Sequence, residues 1–120
     1  MPLTSASSLP SRLASVFDFL AALARRHLAS RVGPRGSIHV FSSAGGIFTL
    51  VHQHRVLCAG EIIEDRIAQL RCVDGGYQLF WKKGNGRWTA YCGQGCDPFV
   101  GSIDDCLSEI ARDPFGCYWS

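Results

Sequence analysis

The hydrophobic period of this chain changes at Gly33-Pro34, and that break confines the fold to a helical part followed by a sheet. Upstream, Leu13, Val16, Phe17, Leu20, Leu23, Ala24 and Leu28 recur every three or four residues, which predicts an amphipathic helix over Ser11 to Arg31. Phe19 falls off the stripe and offers a second face to a neighbour or to another copy of the chain. Arg25, Arg26 and Arg31 suit the negative end of the helix dipole. The Ser-rich, proline-bounded stretch before it, within residues 1–10, reads as a loose leader.

Downstream the period is two. Ser37 to Phe41 and Ile47 to His52 are β-branched and aromatic runs around the loop Ser42 to Gly46, which predicts a hairpin. After an unpatterned connection from Arg55 to Asp65, three strands are predicted over Arg66 to Val73, Tyr77 to Lys82 and Arg87 to Cys92. Asp74-Gly75 and Lys83-Gly84-Asn85-Gly86 join them. Ser102, with Asp105 three residues on, opens a short helix that runs to Arg112 and stops at Asp113-Pro114. The predicted class is α+β: an N-terminal helix, an antiparallel sheet of about five strands and a short C-terminal helix, both helices on the apolar sheet face.

With 120 residues, 47% of them hydrophobic and 18% charged, the chain is expected to form a single domain over 1–120 with a core of its own. No apolar run reaches the 18 residues of a membrane span, and no basic residue precedes Ser11 to start a secretory signal. The expected location is therefore the cytosol, where the six cysteines would stay reduced. The net charge of +2 hides an asymmetry: six arginines face Asp18 alone in residues 1–60, while nine acids face six bases in residues 61–120. Attraction between the halves, within one fold or across a dimer, accounts for this better than a nucleic-acid footprint does.

Strand parity then assigns faces. A two-residue turn at Asp74-Gly75 sets Cys72 opposite Tyr77, Leu70 opposite Leu79 and Ala68 opposite Trp81. An even loop before the next strand adds Trp88, Ala90 and Cys92 to the same apolar face, with Cys72 and Cys92 buried. The other face then holds Arg71, Phe80, Lys82, Arg87 and Tyr91, a basic-aromatic surface that is the candidate partner-binding site. A protein partner is expected there. Single-stranded nucleic acid, stacking on aromatics between cations, is the alternative.

The segments from Arg66 to Arg71, Gly76 to Trp81 and Arg87 to Tyr91, Leu107-Ser108-Glu109-Ile110, and the ending Asp113-Pro114-Phe115-Gly116-Cys117-Tyr118-Trp119 resemble the bacterial domain-of-unknown-function family 3024 over about residues 36–120. The Asp-Pro-x-Gly-x-aromatic-Trp ending is the most specific part. The resemblance implies a small bacterial domain and brings no activity, cofactor or catalytic residue. The chain departs from it at His52-Gln53-His54 and in the loop from Cys92 to Cys96.

Those departures are the chemical candidates. Cys92-Gly93-Gln94-Gly95-Cys96 has the spacing of one edge of a zinc site, but no second pair with ligand spacing accompanies it. His52-x-His54 places two imidazoles on one side of a strand, without an Asp or Glu in the same predicted hairpin to complete a site. No nucleophile elbow, phosphate-binding loop or carboxylate pair is present. Asp104-Asp105 is explained by its place in the first turn of a helix. The expected function is thus a small cytosolic, non-enzymatic binding protein without cofactor, metal or membrane association. A metal module or zinc-dependent enzyme is the remote alternative.

Overall fold

The structure is a computed structural model that describes residues 3–55 and 60–119. Its elements are α1 (Leu3–Val32), β1 (Gly36–Ser43), β2 (Ile47–Arg55), β3 (Ile62–Val73), β4 (Gly76–Lys82), β5 (Trp88–Ala90), β6 (Val100–Gly101) and α2 (Ile103–Arg112). The α+β class and the order of elements are those the sequence predicts. The helix α1 starts at Leu3, so the leader expected to be loose belongs to it. The Ser, Ala and Leu residues there tolerate a helix, and Pro10 removes one N–H donor without ending the element. The side chain of Leu13, and Cys58 altogether, lie outside the described residues.

The strands form one antiparallel sheet in the order β1-β2-β3-β4-β5, with β6 on the same edge of β4 as β5 but further along it. Both helices cover one face. Leu20, Leu23, Ala24 and Leu28 of α1 and Cys106, Leu107 and Ile110 of α2 pack on Ile38, Val40, Phe48, Leu50, Ala68, Leu70 and Leu79 of the sheet. Each large aliphatic side chain in this layer contributes roughly 1.5–3 kcal/mol by leaving water. Phe19, off the stripe as the period implies, is exposed. No helix among the described residues is long and apolar enough to cross a membrane.

Charge joins the two helices. His27 Nε2 lies 2.9 Å from Asp104 Oδ1 at the start of α2. At its end, Arg31 donates to the carbonyls of Ala111 and Arg112 at 2.8 and 2.9 Å. Arg31 therefore serves two C-terminal carbonyls that no helical N–H reaches, and part of the basic excess in the first half is spent inside the fold. The start of α2 is capped as predicted: Ser102 accepts from the Asp105 N–H, and the Asp105 carboxylate accepts from the Ser102 N–H.

The register of β3 and β4 is the one parity predicts, with Ala68 opposite Trp81, Leu70 opposite Leu79 and Cys72 opposite Tyr77. The register of β5 is not. Phe80 pairs with Ala90, Trp81 with Thr89 and Lys82 with Trp88, an odd connection rather than an even one. The Lys83 N–H bonds the Arg87 carbonyl at 3.0 Å, leaving Gly84-Asn85-Gly86 as a three-residue loop closed by Gly86 at φ +83. Three-residue hairpin loops commonly end on a left-handed residue, and glycine takes that conformation without a Cβ clash. The faces of β5 are consequently exchanged relative to the expectation: Trp88 and Ala90 leave the core face and Tyr91 enters the core.

Candidate metal centre and sheet surface

Tyr91, expected on the exposed face, is 3% exposed. Its hydroxyl donates to Glu109 Oε2 of α2 at 2.6 Å, and its ring packs against Phe99 and Tyr118. Burial first, then the Glu109 carboxylate, pushes the phenol above its ordinary range. Tyr91 is thus a strut between the sheet and α2, and the basic-aromatic surface keeps Arg71, Phe80 and Lys82, while Arg87, opposite Lys83, leaves that face with Tyr91 and Trp88, opposite Lys82, joins it.

On that surface the Arg71 guanidinium lies 3.9 Å above the Phe80 ring. It also donates twice to Gln69 Oε1, at 3.1 and 2.9 Å, while Gln69 donates to Thr49 Oγ1 at 3.0 Å. A cation held flat on an aromatic ring and fixed by an amide is a rigid feature. Lys82 and Arg87 are exposed. The outer face carries no helix, and Phe41 on β1 is 51% exposed.

A second group of residues forms where β3 runs beyond its partner β4. Pairing of β3 with β4 covers residues 68–73, whereas pairing with β2 continues to Ile62. A bulge between Leu50 and Val51 on the β2 side marks the transition, with Ile67 as the extra residue. From Ile62 to Arg66, β3 has a strand on one side only among the described residues, and all five residues are exposed. A cleft of about 1120 Å³ opens beside this edge, lined among others by Asp65, Ile67, Trp81, Lys83 and the tail from Gly116 to Trp119.

His52 and His54 face this cleft from β2. Their rings stack with centroids 4.9 Å apart, as expected for side chains two residues apart on one strand. The sequence placed no carboxylate beside them, but the fold does. Asp65 is the cross-strand partner of His52, and its Oδ2 lies 3.2 Å from His54 Nε2. Glu64 is occupied on the other side of the strand, where it accepts from Gln53. Each of His52, His54 and Asp65 offers one ligand atom, and these atoms lie within 4.8 Å of one another.

His52 has the most unusual surroundings of the three. Its Nε2 is buried without a hydrogen-bond partner. Its ring meets Trp119 edge-on at 5.5 Å between centroids. Gly36, in the neighbouring strand, packs closely against the nitrogen, since a Cβ there would sit 2.7 Å from Nε2. Burial, with the neighbouring His54 adding to it and Asp65 opposing, holds the His52 pKa below the usual 6.5.

The C-terminal motif explains why Trp119 reaches this point. Asp113 caps α2 in the left-handed conformation at φ 44. Its carboxylate accepts the backbone N–H groups of Cys117, Tyr118 and Trp119 at 2.8, 3.1 and 3.0 Å. The Trp119 indole N–H donates to the Ile110 carbonyl at 2.9 Å. Tyr118 and Trp119 dock, but Phe115 is 52% exposed and points away from the core.

The cysteines separate from the histidines. Cys72, expected in the core, is exposed, and Cys92 is half-buried, because the end of the β3–β4 hairpin reaches past α2 and β5 stops at Ala90. Cys92 and Cys96 lie in a loop that leaves the sheet after Tyr91 and returns at Phe99, whose N–H bonds the Tyr91 carbonyl at 2.8 Å. Among the described residues no third ligand gathers around this pair.

No curated protein and no solved structure matches the chain. The family model of the domain of unknown function DUF3024 matches residues 10–120, taking in every strand, α2 and most of α1. The chain therefore belongs to the domain-of-unknown-function family DUF3024.

Proposed function

We propose that the chain is a bacterial, cytosolic, non-enzymatic interaction module that takes an extended segment of a partner protein along the first half of β3. The observation that carries this reading is the one-sided pairing of Ile62 to Arg66 beside a cleft of about 1120 Å³. An unpaired strand edge presents a row of backbone donors and acceptors, and adding a strand from a partner satisfies them while pockets on either side take alternate side chains. Ile62, at 60% exposure, and Ile63, at 38%, supply apolar anchors on the same strand. Arg66 and the nearby Lys82 and Lys83 favour a segment with acidic residues at its flanks.

The outer sheet face supports a second reading, single-stranded nucleic acid. The specific observation is the Arg71 guanidinium over the Phe80 ring, with Lys82 exposed and Trp88 opposite it on the same face. Stacked planes between cations suit bases and phosphates. Tyr91 is lost to the core, and Trp88, opposite Lys82, takes its place as the second ring on this face.

One experiment separates them. The full chain, immobilised, is used to capture partners from a lysate with and without nuclease, and hydrogen exchange of the captured complex is then followed. Strand addition slows exchange over residues 62–66 and survives nuclease, and Ile62→Asp abolishes it. Capture that disappears with nuclease and needs Arg71, Phe80 and Lys82 assigns the nucleic-acid reading instead.

A further inference from the structure

The geometry points to a divalent transition-metal site, of the kind zinc occupies, with His52, His54 and Asp65 as its protein ligands and the remaining position open to the cleft. This inference is independent of what binds the edge of β3.

Two imidazoles and one carboxylate are a donor set for zinc-like ions, whereas calcium and magnesium call for oxygen ligands. A tetrahedral centre with bonds of about 2.0–2.2 Å needs its donors about 3.4 Å apart. His54 Nε2 and Asp65 Oδ2 already stand at 3.2 Å, and all three donors lie within 4.8 Å, so rotation of the imidazoles closes the set without moving the backbone. The backbone is the costly part to arrange, and it is fixed by the β1-β2-β3 ladder on both sides of His52.

The state of His52 fits a ligand better than it fits a surface histidine. A buried imidazole nitrogen without a partner ordinarily costs free energy, and a metal ion or its bound water removes that cost. Gly36 lets the ring approach the β1 backbone closely, where any larger residue would clash with it. The Trp119 indole screens the site on one side. Cys117 lines the same cleft, but its sulfur is not among the donors that gather within 4.8 Å of one another, which leaves the fourth position open. An open position is what a site needs to hold water or a donor from a bound molecule.

The test uses the full chain, Zn²⁺ as titrant against a chromophoric chelator, and Co²⁺ as a spectroscopic probe. The expected result is one Zn²⁺ per chain at micromolar affinity or tighter, weakened at least tenfold by His54→Gln and by Asp65→Asn. The His54 side chain is 35% exposed and that of Asp65 59%, so the variants should keep the parent circular dichroism spectrum, and that spectrum is recorded alongside. The Co²⁺ complex should show visible ligand-field bands without sulfur-to-cobalt charge transfer. The double variant Cys92→Ser, Cys96→Ser should bind like the parent. Absence of stoichiometric binding, equal affinity in the His54 and Asp65 variants, or thiolate charge-transfer bands would each overturn the assignment.

Discussion

The imidazole of His52 meets the indole of Trp119 edge-on, with 67° between the ring planes, so the C-terminal motif packs directly on the histidine pair of β2. Asp113 makes this contact possible. Its carboxylate gathers three successive N–H groups, and the chain turns back from the end of α2 toward the sheet. The ending from Asp113 to Trp119 is thus a device for closing the tail over one end of the cleft.

Replacing that carboxylate should loosen the tail and the fold together. Hydrogen bonds to a charged acceptor are among the stronger ones, and three donors lose theirs at once in Asp113→Ala. A loss of roughly 2–4 kcal/mol in urea denaturation is expected. Asp113→Asn should recover part of it, since one amide oxygen still accepts. A change within about 0.5 kcal/mol for the alanine variant, the range of an ordinary surface substitution, would show that the tail docks without this carboxylate.

Stability should depend on pH through His52. Its folded-state pKa lies below the ordinary 6.5, so between that depressed value and 6.5 the unfolded chain binds more protons than the folded one. Stability therefore rises with pH across this window, is fully present above 6.5, and is lost as pH falls toward the folded value. Denaturation midpoints of the parent measured from acidic to neutral pH should show this slope, and His52→Gln should flatten it. An identical slope in the two proteins would assign the effect to other groups.

Thiol reactivity should follow position in the fold. Cys72 and Cys96 are exposed, whereas Cys106 is fully buried and its thiol is pushed up to about 12, chiefly by burial and then by Asp105. Only a thiolate attacks an alkylating agent at useful rates. Pulsed iodoacetamide labelling read by mass spectrometry should mark Cys72 and Cys96 first and Cys106 last, at a rate set by unfolding. Labelling of Cys106 as fast as Cys72 would contradict its placement against Tyr77, whose carbonyl its sulfur approaches at 3.6 Å.

The parts of this fold that sequence makes legible are those where one side is buried. The stripe of α1 and the alternation of Leu70, Leu79 and their neighbours each have a covered face, so the apolar period survives in the sequence. The first five residues of β3 project past the helices, and all are exposed. Without a buried face, Ile62 to Arg66 keep no alternation, and the stretch reads as a connection. Asp65 could not be placed beside His52 and His54 for that reason, and the histidine pair looked incomplete. The one available signal was the β-branched pair Ile62-Ile63. The error in β5 has a different origin, because Lys83-Gly84-Asn85-Gly86 accommodates an even or an odd loop, and composition does not separate the two.

Strand parity can be tested by changing length inside and outside the paired residues. Deleting Thr89 shortens β5 by one residue, which with the hairpin pairs Lys83–Arg87 and Lys82–Trp88 kept would turn Tyr91 outward, away from Glu109. The domain would then lose a buried aromatic and leave the Glu109 carboxylate without its hydroxyl donor. Burying a ring of this size is worth on the order of 3–5 kcal/mol by truncation, so the deletion should unfold the protein or force β5 out of the sheet. Inserting two glycines between Gly84 and Asn85 keeps the loop odd. Closure entropy grows only slowly with length, and this insertion should cost less than about 1 kcal/mol. Thermal denaturation of the two variants decides the matter, since a register set by the core makes the shorter change the damaging one. Equal stability of the deletion and the insertion would mean that β5 slips freely, and that Tyr91 is not held by its place between the sheet and α2.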